Sequence, residues 1–321
     1  KKLKIQVRSV GCFGYCANEP LVNIHIPNLP LLILDKVKIE DIPWILSSIA
    51  DRSFPKERVL CKITKWDHLG VLFTYGEGFE SIPEWNEITY FHSQKKIVLR
   101  HAGLIDPTSI EEYLAVGGYS AFFKAMWEMS RDEVLQEVKN SKLRGRGGAG
   151  FPTGLKWELM NKNEGKKKYI ICNADEGDPG AYMNRNEMES DPHMLIEGML
   201  IGAYAMHTSE GIVYVRAEYP LAVERLKLAV QQARDIGLLG KVIPNTDFKF
   251  DIEIVEGAGA FVCGEETALI ASVEGKAGRP TMKPPFPAQK GYLGYPTTIN
   301  NLETWCNIPV IIKMGSSWFK Q

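Results

Sequence analysis

A glycine-rich loop over residues 144–157 is the segment of this 321-residue chain best suited to hold a phosphate. It reads Arg-Gly-Arg-Gly-Gly-Ala-Gly-Phe-Pro-Thr-Gly-Leu-Lys-Trp, and a helix is predicted to begin at Thr153. Glycines let backbone N–H groups approach a ligand closely, and a helix N-terminus favours an anion. The spacing matches neither the P-loop nor the G-x-G-x-x-G fingerprint, so a plain turn and a phosphate-binding loop are both open at this point.

Two further segments place polar residues directly after predicted strands. Residues 173–180 follow an apolar run that ends at Cys172, and residues 257–264 follow a second strand and lead into Glu265 and Glu266. Open parallel sheets bind ligands at the carboxyl ends of their strands, which favours a binding site here. The alternatives are solvated turn chemistry for the first segment and first-turn carboxylates that complement a helix dipole for the second.

The pattern of apolar residues predicts an α/β chain. From residue 97 onward, short apolar runs alternate with helical periodicity, which indicates a parallel sheet with crossover helices. The predicted elements of this part are strands at 168–172, 211–215 and 250–254, a helix opening at Pro220 and stopping near Gly237 or Gly240, and a helix at 265–273. Before residue 97 we predict strands at 3–10 and 31–34 and a helix that has Pro43 in its first turn.

Composition excludes several classes of protein. The 38 basic and 39 acidic residues leave a net charge of −1, so partners that bind by bulk charge, such as nucleic acid, are not expected. The sequence has no 18-residue apolar stretch and no secretory signal, so we expect a cytoplasmic protein that does not insert in a membrane. Four of the six cysteines stand alone and are predicted to be buried structural thiols: Cys61, Cys172, Cys263 and Cys306.

Together with Lys-Pro-Pro-Phe-Pro at 283–287 and Asn-Asn-Leu-Glu-Thr at 300–304, these motifs resemble a known family in both content and order. It is the FMN-bearing subunit of respiratory NADH dehydrogenases, with relatives in soluble NAD-linked hydrogenases and formate dehydrogenases. The resemblance covers residues 97–321. It implies a Rossmann-like parallel-sheet domain that binds FMN and NAD(H).

The resemblance also implies site residues. Those expected around the nucleotide cavity and FMN are Gly145, Gly147, Gly148, Lys156, Asn173, Asp175, Gly264, Glu265, Asn300, Asn301 and Thr304. Those expected to contact NAD(H) are Phe151, Asp178, Glu266, Lys283 and Phe286. Asp178 stands where a longer Glu is usual, and Phe261 where a Tyr is usual. Hydride transfer between stacked rings needs no general base, but the adjacent carboxylates of Glu265 and Glu266 are candidate catalytic groups that set the protonation or potential of the flavin.

The pair Cys12 and Cys16, spaced C-x3-C, resembles the second half of a thioredoxin-like [2Fe–2S] ferredoxin domain. Such a cluster needs four thiolates, and in the family the other pair lies upstream. The alternative is two free thiols. We therefore predict a partial ferredoxin domain at 1–51, a linker at 52–96 and the flavin domain at 97–321, with a [4Fe–4S] domain expected in a continuation of the chain.

The function implied by the resemblance is electron transfer between nicotinamide, FMN and iron–sulfur clusters in a soluble multi-subunit complex. The ferredoxin-like piece favours an electron-bifurcating hydrogenase or a ferredoxin:NAD(P) oxidoreductase, with other iron–sulfur subunits, and ferredoxin itself, as expected partners. A formate dehydrogenase or respiratory NADH dehydrogenase subunit is an alternative. From a different class, a non-catalytic nucleotide-binding scaffold also fits the sequence.

Overall fold

The structure, a computed structural model, describes residues 3–163 and 167–321. The chain divides into two compact units, Lys1–Leu104 and Ile105–Gln321. The first is built on antiparallel strands and the second on a parallel sheet covered by helices. The chain is therefore an α/β protein, and all four parallel strands lie in the second unit.

The first unit holds a three-stranded antiparallel sheet in the order β1-β2-β3 and a separate hairpin, β4-β5. Its elements are β1 (Val22–Ile24), β2 (Leu31–Leu34), α1 (Ile42–Asp51), β3 (Cys61–Ile63), β4 (Lys65–His68), β5 (Val71–Thr74) and α2 (Thr89–His92). All four residues of β2 are buried, because this strand is central in its sheet. Strand β3 comes from residues 52–96 and pairs with β2. The assignment of 1–51, 52–96 and 97–321 to separate domains stays a prediction.

Two predictions for the first unit are confirmed and one is wrong. Strand β2 has the predicted bounds, and Pro43 lies in the first turn of α1, where its missing N–H removes no helix hydrogen bond. The predicted strand at 3–10 is instead an exposed, irregular segment. Its apolar residues alternate only loosely, and no strand within the described residues pairs with it.

The second unit is built around a four-stranded parallel sheet in the order β8-β7-β6-β9. The strands are β6 (Tyr169–Ala174), β7 (Glu210–Arg216), β8 (Asp251–Gly257) and β9 (Thr297–Asn301). The helices are α3 (Ile110–Ala115), α4 (Ser120–Glu128), α5 (Arg131–Asn140), α6 (Thr153–Asn161), α7 (Met183–Ser190), α8 (Pro192–Met206), α9 (Pro220–Asp235), α10 (Glu266–Val273), α11 (Leu302–Met314) and α12 (Ser316–Phe319). The predicted strands and helices of this unit are confirmed to within a few residues at their ends. The four lone cysteines of the chain are all buried, as predicted, and none of them forms a disulfide.

Helix α8 forms the centre of the helical layer, and all of its residues except Tyr204 are buried. Its one carboxylate, Glu197, accepts hydrogen bonds from the backbone N–H groups of Ala121 (3.0 Å) and Phe122 (3.1 Å) and from the Tyr113 hydroxyl (2.5 Å). The buried charge therefore satisfies the otherwise unpaired first turn of α4. Within the described ranges, no helix combines the length and apolar character needed to cross a bilayer.

Glu187 on α7 is a buried carboxyl of a different kind. It is 2% exposed, and neither of its oxygens has a hydrogen-bond partner among the described residues. Burial raises the pKa of Glu187 well above its usual value, and the carboxylates of Glu303, Glu176 and Asp191 act in the same direction. Charging this group is costly because nothing in the described chain compensates it.

We predict that Glu187→Gln stabilises the protein increasingly as the pH rises above about 4.5, the ordinary carboxyl pKa. The folded form keeps a proton there that the unfolded chain releases, so the wild type loses up to about 1.4 kcal/mol of stability per pH unit until the folded pKa is reached. Urea unfolding between pH 5 and pH 9 measures the difference. The exposed Glu224→Gln serves as the control, and a stability gap that does not change with pH contradicts the prediction.

Candidate functional site

The candidate site lies where the carboxyl ends of the parallel strands meet. In the register of the sheet, Asn173 near the end of β6 is paired with Asn301 at the end of β9. On the other side of β6, Ala174 is paired with Val215, next to the last residue of β7. The loops after β6, β8 and β9 therefore start from one edge of the sheet, although they are far apart in sequence.

The glycine-rich loop is fastened to this edge through its backbone. The N–H of Arg146 donates to the Thr304 hydroxyl at 3.0 Å, and the N–H of Gly145 donates to the Phe151 carbonyl at 2.9 Å. Gly148 has a φ of +98°, which L side chains rarely adopt. Within the described chain, the N–H groups of residues 147–149 donate to no acceptor, so this loop presents free donors to a ligand.

Helix α6 begins at Thr153, as predicted, and carries Lys156 in its first turn. The Lys156 ammonium donates to the carbonyl of Ile299 in β9 (2.6 Å) and forms an ion pair with the carboxylate of Glu266. Lys156 thus joins the glycine-rich loop, β9 and the start of α10. These contacts bring three of the segments that carry predicted site residues next to one another.

Glu265 and Glu266 stand at the start of α10 and share two lysines. Glu265 caps the helix, accepting from the N–H groups of Thr267 (2.8 Å) and Ala268 (3.1 Å), and pairs with Lys283 at 2.9 Å. Lys283 also lies 3.3 Å from the Glu266 carboxylate. Burial acts to raise the pKa of Glu265, but hydrogen bonds from Thr267, Lys283 and the helix N–H groups outweigh it and lower the pKa to about 2. Both carboxylates are therefore held in ion pairs.

Asn173 and Asp175 meet the loop after β8. The Asn173 side-chain amide donates to the Gly264 carbonyl at 2.9 Å, and its oxygen accepts from the N–H of Asp175 at 3.0 Å. The Asp175 side chain is 1% exposed, and neither carboxyl oxygen has a hydrogen-bond partner among the described residues. A buried carboxyl without donors is costly, so its oxygens are candidates to bind a ligand.

The three polar residues that end β9 or begin α11 have separate roles. Asn301 caps α11, accepting from the N–H of Glu303 at 2.9 Å, and the buried Thr304 accepts from the glycine-rich loop. Asn300 is also buried. Assigning its amide so that the oxygen accepts from the Trp157 indole at 3.0 Å and the nitrogen donates to Ile299 satisfies both ends.

Three of the predicted site residues lie at the surface. Phe151 is 44% exposed and Phe286 is 54% exposed, and Asp178 is exposed as well. No side-chain hydrogen bond, ion pair or ring contact joins them to the other site residues in the part of the chain that the structure describes. Their roles in contacting NAD(H) stay predictions.

Sequence reasoning overlooked Arg216, and it placed Glu176 in the candidate segment 173–180 without naming it as a site residue. Arg216 ends β7 and is 7% exposed, and its guanidinium lies 3.9 Å from the Asp175 carboxylate. Glu176 accepts from the N–H groups of Asn184 (3.2 Å) and Arg185 (3.1 Å) and so satisfies the start of α7. The available signal for Arg216 was its position, because a charged residue that directly follows an apolar strand lies at the ligand-binding edge of the sheet.

In the first unit, the thiols of Cys12 and Cys16 are exposed and flank Gly14. The N–H of Gly14 donates to the Cys12 sulfur at 3.1 Å, and the Cys16 thiol donates to the Gly14 carbonyl at 3.7 Å. N–H donors to sulfur, like that of Gly14, also surround the cysteine sulfurs of iron–sulfur clusters. Within the described residues, no group of three or more His, Cys, Asp or Glu side chains is arranged to hold a metal ion. A [2Fe–2S] cluster needs four thiolates, twice the number of thiols in this pair.

Comparison with known proteins gives consistent matches. A family model described as the Nuo51 FMN-binding domain matches residues 138–310, more than half of the chain. The NADP-reducing hydrogenase protein HndC of Solidesulfovibrio fructosivorans is 56% identical over 226 residues, which cover 70% of this chain and 46% of that protein. An NADH-quinone oxidoreductase subunit of Aquifex aeolicus is 49% identical, with coverage of 70% and 53%.

Among solved structures, an NAD⁺-reducing [NiFe]-hydrogenase in the air-oxidised state superposes with a TM-score of 0.55 at 31% sequence identity. The match covers 90% of this chain and 44% of the hydrogenase chain. The chain spans about half the length of the curated relatives that it matches.

The helix cap of α10 gives a testable prediction about Glu265. We expect Glu265→Ala to lower the free energy of unfolding near pH 7 by about 1 kcal/mol, the usual loss for an N-cap. A carboxylate with a folded pKa of about 2 stabilises the fold above about 4.5, its ordinary value, and this stabilisation is lost as the pH falls towards 2. Denaturant unfolding at pH 7 and pH 3 tests this. Glu265→Asp should keep most of the stabilisation, because aspartate also caps helices. If Glu265→Ala is as stable as the wild type at pH 7, the cap is unimportant.

Proposed function

Because the chain belongs to the Nuo51 FMN-binding domain family, we propose that its second unit binds FMN and NAD(H) and transfers electrons between them. The observation that carries this proposal is the convergence of a glycine-rich loop with free N–H groups and a buried carboxyl that accepts no hydrogen bond, Asp175, on one sheet edge of the described chain. Free N–H groups suit the phosphate of a nucleotide, and carboxyl oxygens suit the N–H donors of a polar ring. We assign the parallel-sheet unit as Rossmann-like on the same grounds.

The residues of the site fit FMN. The N–H groups at 147–149, with Asn301 and Thr304 beside them, are placed to receive the phosphate end, and Lys156 contributes a cation next to the loop. Lys156 is already paired with Glu266, so the backbone donors are the groups still available for the anion. Asn173, Asp175 and Gly264 border the ring end in this proposal.

When bound, FMN supplies the chemistry that accepts hydride from a nicotinamide and passes electrons on singly. The contribution of the chain is positional. Asn173 fixes the loop after β8 through the Gly264 carbonyl, and Lys283 holds Glu265 and Glu266 at the mouth of the site. Keeping two rings in register is the main requirement of hydride transfer, so no side chain need exchange a proton with the nicotinamide.

For NAD(H), we propose that the exposed rings of Phe151 and Phe286 are stacking surfaces and that Glu266 and Lys283 make polar contacts. Asp178 is the proposed contact on the nicotinamide side. Glu265 and Glu266 are proposed to tune the potential of the flavin through their charge, since both are held in ion pairs beside Gly264.

We further propose that Cys12 and Cys16 ligate a [2Fe–2S] cluster in part of a thioredoxin-like domain, with the remaining thiolates and a [4Fe–4S] domain supplied outside this sequence. The names of the relatives favour a component of a hydrogenase or of an NADH-quinone oxidoreductase complex, with iron–sulfur subunits as partners. We also propose that this complex bifurcates electrons and that ferredoxin is one of its partners.

The decisive experiment is an anaerobic titration of the purified full-length protein, reconstituted with FMN, iron and sulfide. We expect one FMN per chain and bleaching of the flavin absorbance by NADH or NADPH, whichever is the substrate. Lys156→Met should weaken FMN binding about tenfold, because the contacts of Lys156 to Ile299 and Glu266, which hold the glycine-rich loop against β9 and α10, are lost, whereas Lys162→Met at the end of α6 should not. A protein that binds NADH but never FMN would be a nucleotide-binding scaffold and would refute the proposal.

A separate prediction concerns the nicotinamide side. Phe286→Ala should raise the dissociation constant of NADH roughly threefold to tenfold, the loss expected for one aromatic stacking partner, while the FMN content stays unchanged. Phe123→Ala removes a similarly exposed ring from α4 and serves as the control. Equal NADH affinity in the two variants would remove Phe286 from the proposed site.

A further inference from the structure

Arg216 at the end of β7 connects both neighbouring loops. Its guanidinium donates to the Glu176 carbonyl (3.2 Å) in the loop after β6 and to the Gly259 carbonyl (2.8 Å) in the loop after β8. A third hydrogen bond, of 2.6 Å, goes to the carboxylate of Glu218. Because β7 lies between β6 and β8, one side chain from the central strand fastens the loops on both sides.

The same guanidinium faces the carboxyl of Asp175, with 3.9 Å between Arg216 Nε and Asp175 Oδ1. The side chain of Asp175 is almost wholly buried and has no hydrogen-bond donor within the described chain. The other groups that face this carboxyl are Glu218, which follows β7, and the hydroxyl of Tyr214, within β7. Burial raises the pKa of Asp175 and the Arg216 charge opposes that rise.

We propose that Arg216 is a positioning residue that fastens the two loops beside the FMN site through its hydrogen bonds and holds Asp175 there as a carboxylate. This inference rests on the proposed function, because it assigns a charge state to a residue of the FMN site. It separates two effects of one side chain. Fastening the two loops requires the forked guanidinium, which can donate to two carbonyls and a carboxylate together. Compensating the charge of Asp175 requires only a cation.

The test measures the dissociation constant of FMN between pH 6 and pH 9 for the wild type, Arg216→Gln, Arg216→Lys, Asp175→Asn and the double variant Arg216→Gln/Asp175→Asn. Arg234→Gln is the control, since Arg234 also pairs with a carboxylate (Asp251, 2.9 Å) and a carbonyl, but at the other end of the sheet. Flavin fluorescence quenching provides the readout, which does not depend on turnover.

We expect Arg216→Gln to bind FMN about tenfold more weakly for each pH unit below the new Asp175 pKa, relative to the wild-type profile. This added pH dependence should vanish in the double variant, because no carboxyl is left to titrate. Arg216→Lys should weaken FMN binding by a factor that does not change with pH, since the charge remains but the hydrogen bonds to the two loops are lost. Parallel profiles for the wild type and Arg216→Gln, or an inflection that persists in the double variant, overturn the inference.

An infrared comparison of the wild type with Asp175→Asn keeps the inference testable if Arg216→Gln does not fold. A protonated carboxyl band from Asp175 near pH 7 in the wild type overturns it, and the absence of that band supports it. If the wild type binds no FMN at all, the proposed function fails, but the infrared comparison still reports the charge state of Asp175.

Discussion

Parallel alignment of four strands is the constraint on which the candidate site depends. Strands that run in the same direction deliver their carboxyl ends to one edge, so the segments after β6, β8 and β9 meet although more than a hundred residues separate the first from the last. The register adds precision, because Asn173 is paired with Asn301. A slip of β9 by one residue would turn Asn301 to the opposite face of the sheet. The glycine-rich loop joins this edge through the Arg146–Thr304 hydrogen bond and the contacts of Lys156.

The charges at this edge are largely compensated within the chain. Lys156 and Lys283 are paired with Glu265 and Glu266, and Arg216 faces Asp175 and Glu218. An anion that enters the site is therefore not attracted by a free cation in these pairs. The backbone N–H groups of residues 147–149 remain as donors, and they carry no desolvation cost comparable to that of a bare ammonium. In the proposed site, backbone N–H groups therefore bind the phosphate, while the carboxylates influence the potential of the flavin ring through their charge.

The sequence was informative wherever a pattern repeats. Apolar runs predicted β6, β7 and β8, Pro220 marked the start of α9, and the order of motifs indicated the family. Isolated polar residues such as Arg216 and Glu187 carry no such pattern, because their meaning depends on which neighbours the fold brings to them. The predicted strand at 3–10 failed for the same reason, since alternation indicates a strand only if a partner strand is present. The hydrogen-bond and ion-pair partners of each carboxylate could be identified only in the structure.

Within the first unit, residues that are distant in sequence also determine the conformation of the loop that carries Cys12 and Cys16. Tyr15 stacks on Tyr90 with ring centroids 4.2 Å apart, and Lys96 donates to the carbonyl of Phe13 at 2.7 Å. The Phe13 ring also lies against Gly103, where any Cβ would come within 2.6–2.7 Å of it. The shape of the thiol loop is thus set by residues 90–103 rather than by the exposed segment that precedes it. If Cys12 and Cys16 ligate the proposed cluster, a loop fixed by this packing would hold the two sulfurs in place before the metal binds, and that lowers the ordering cost of binding.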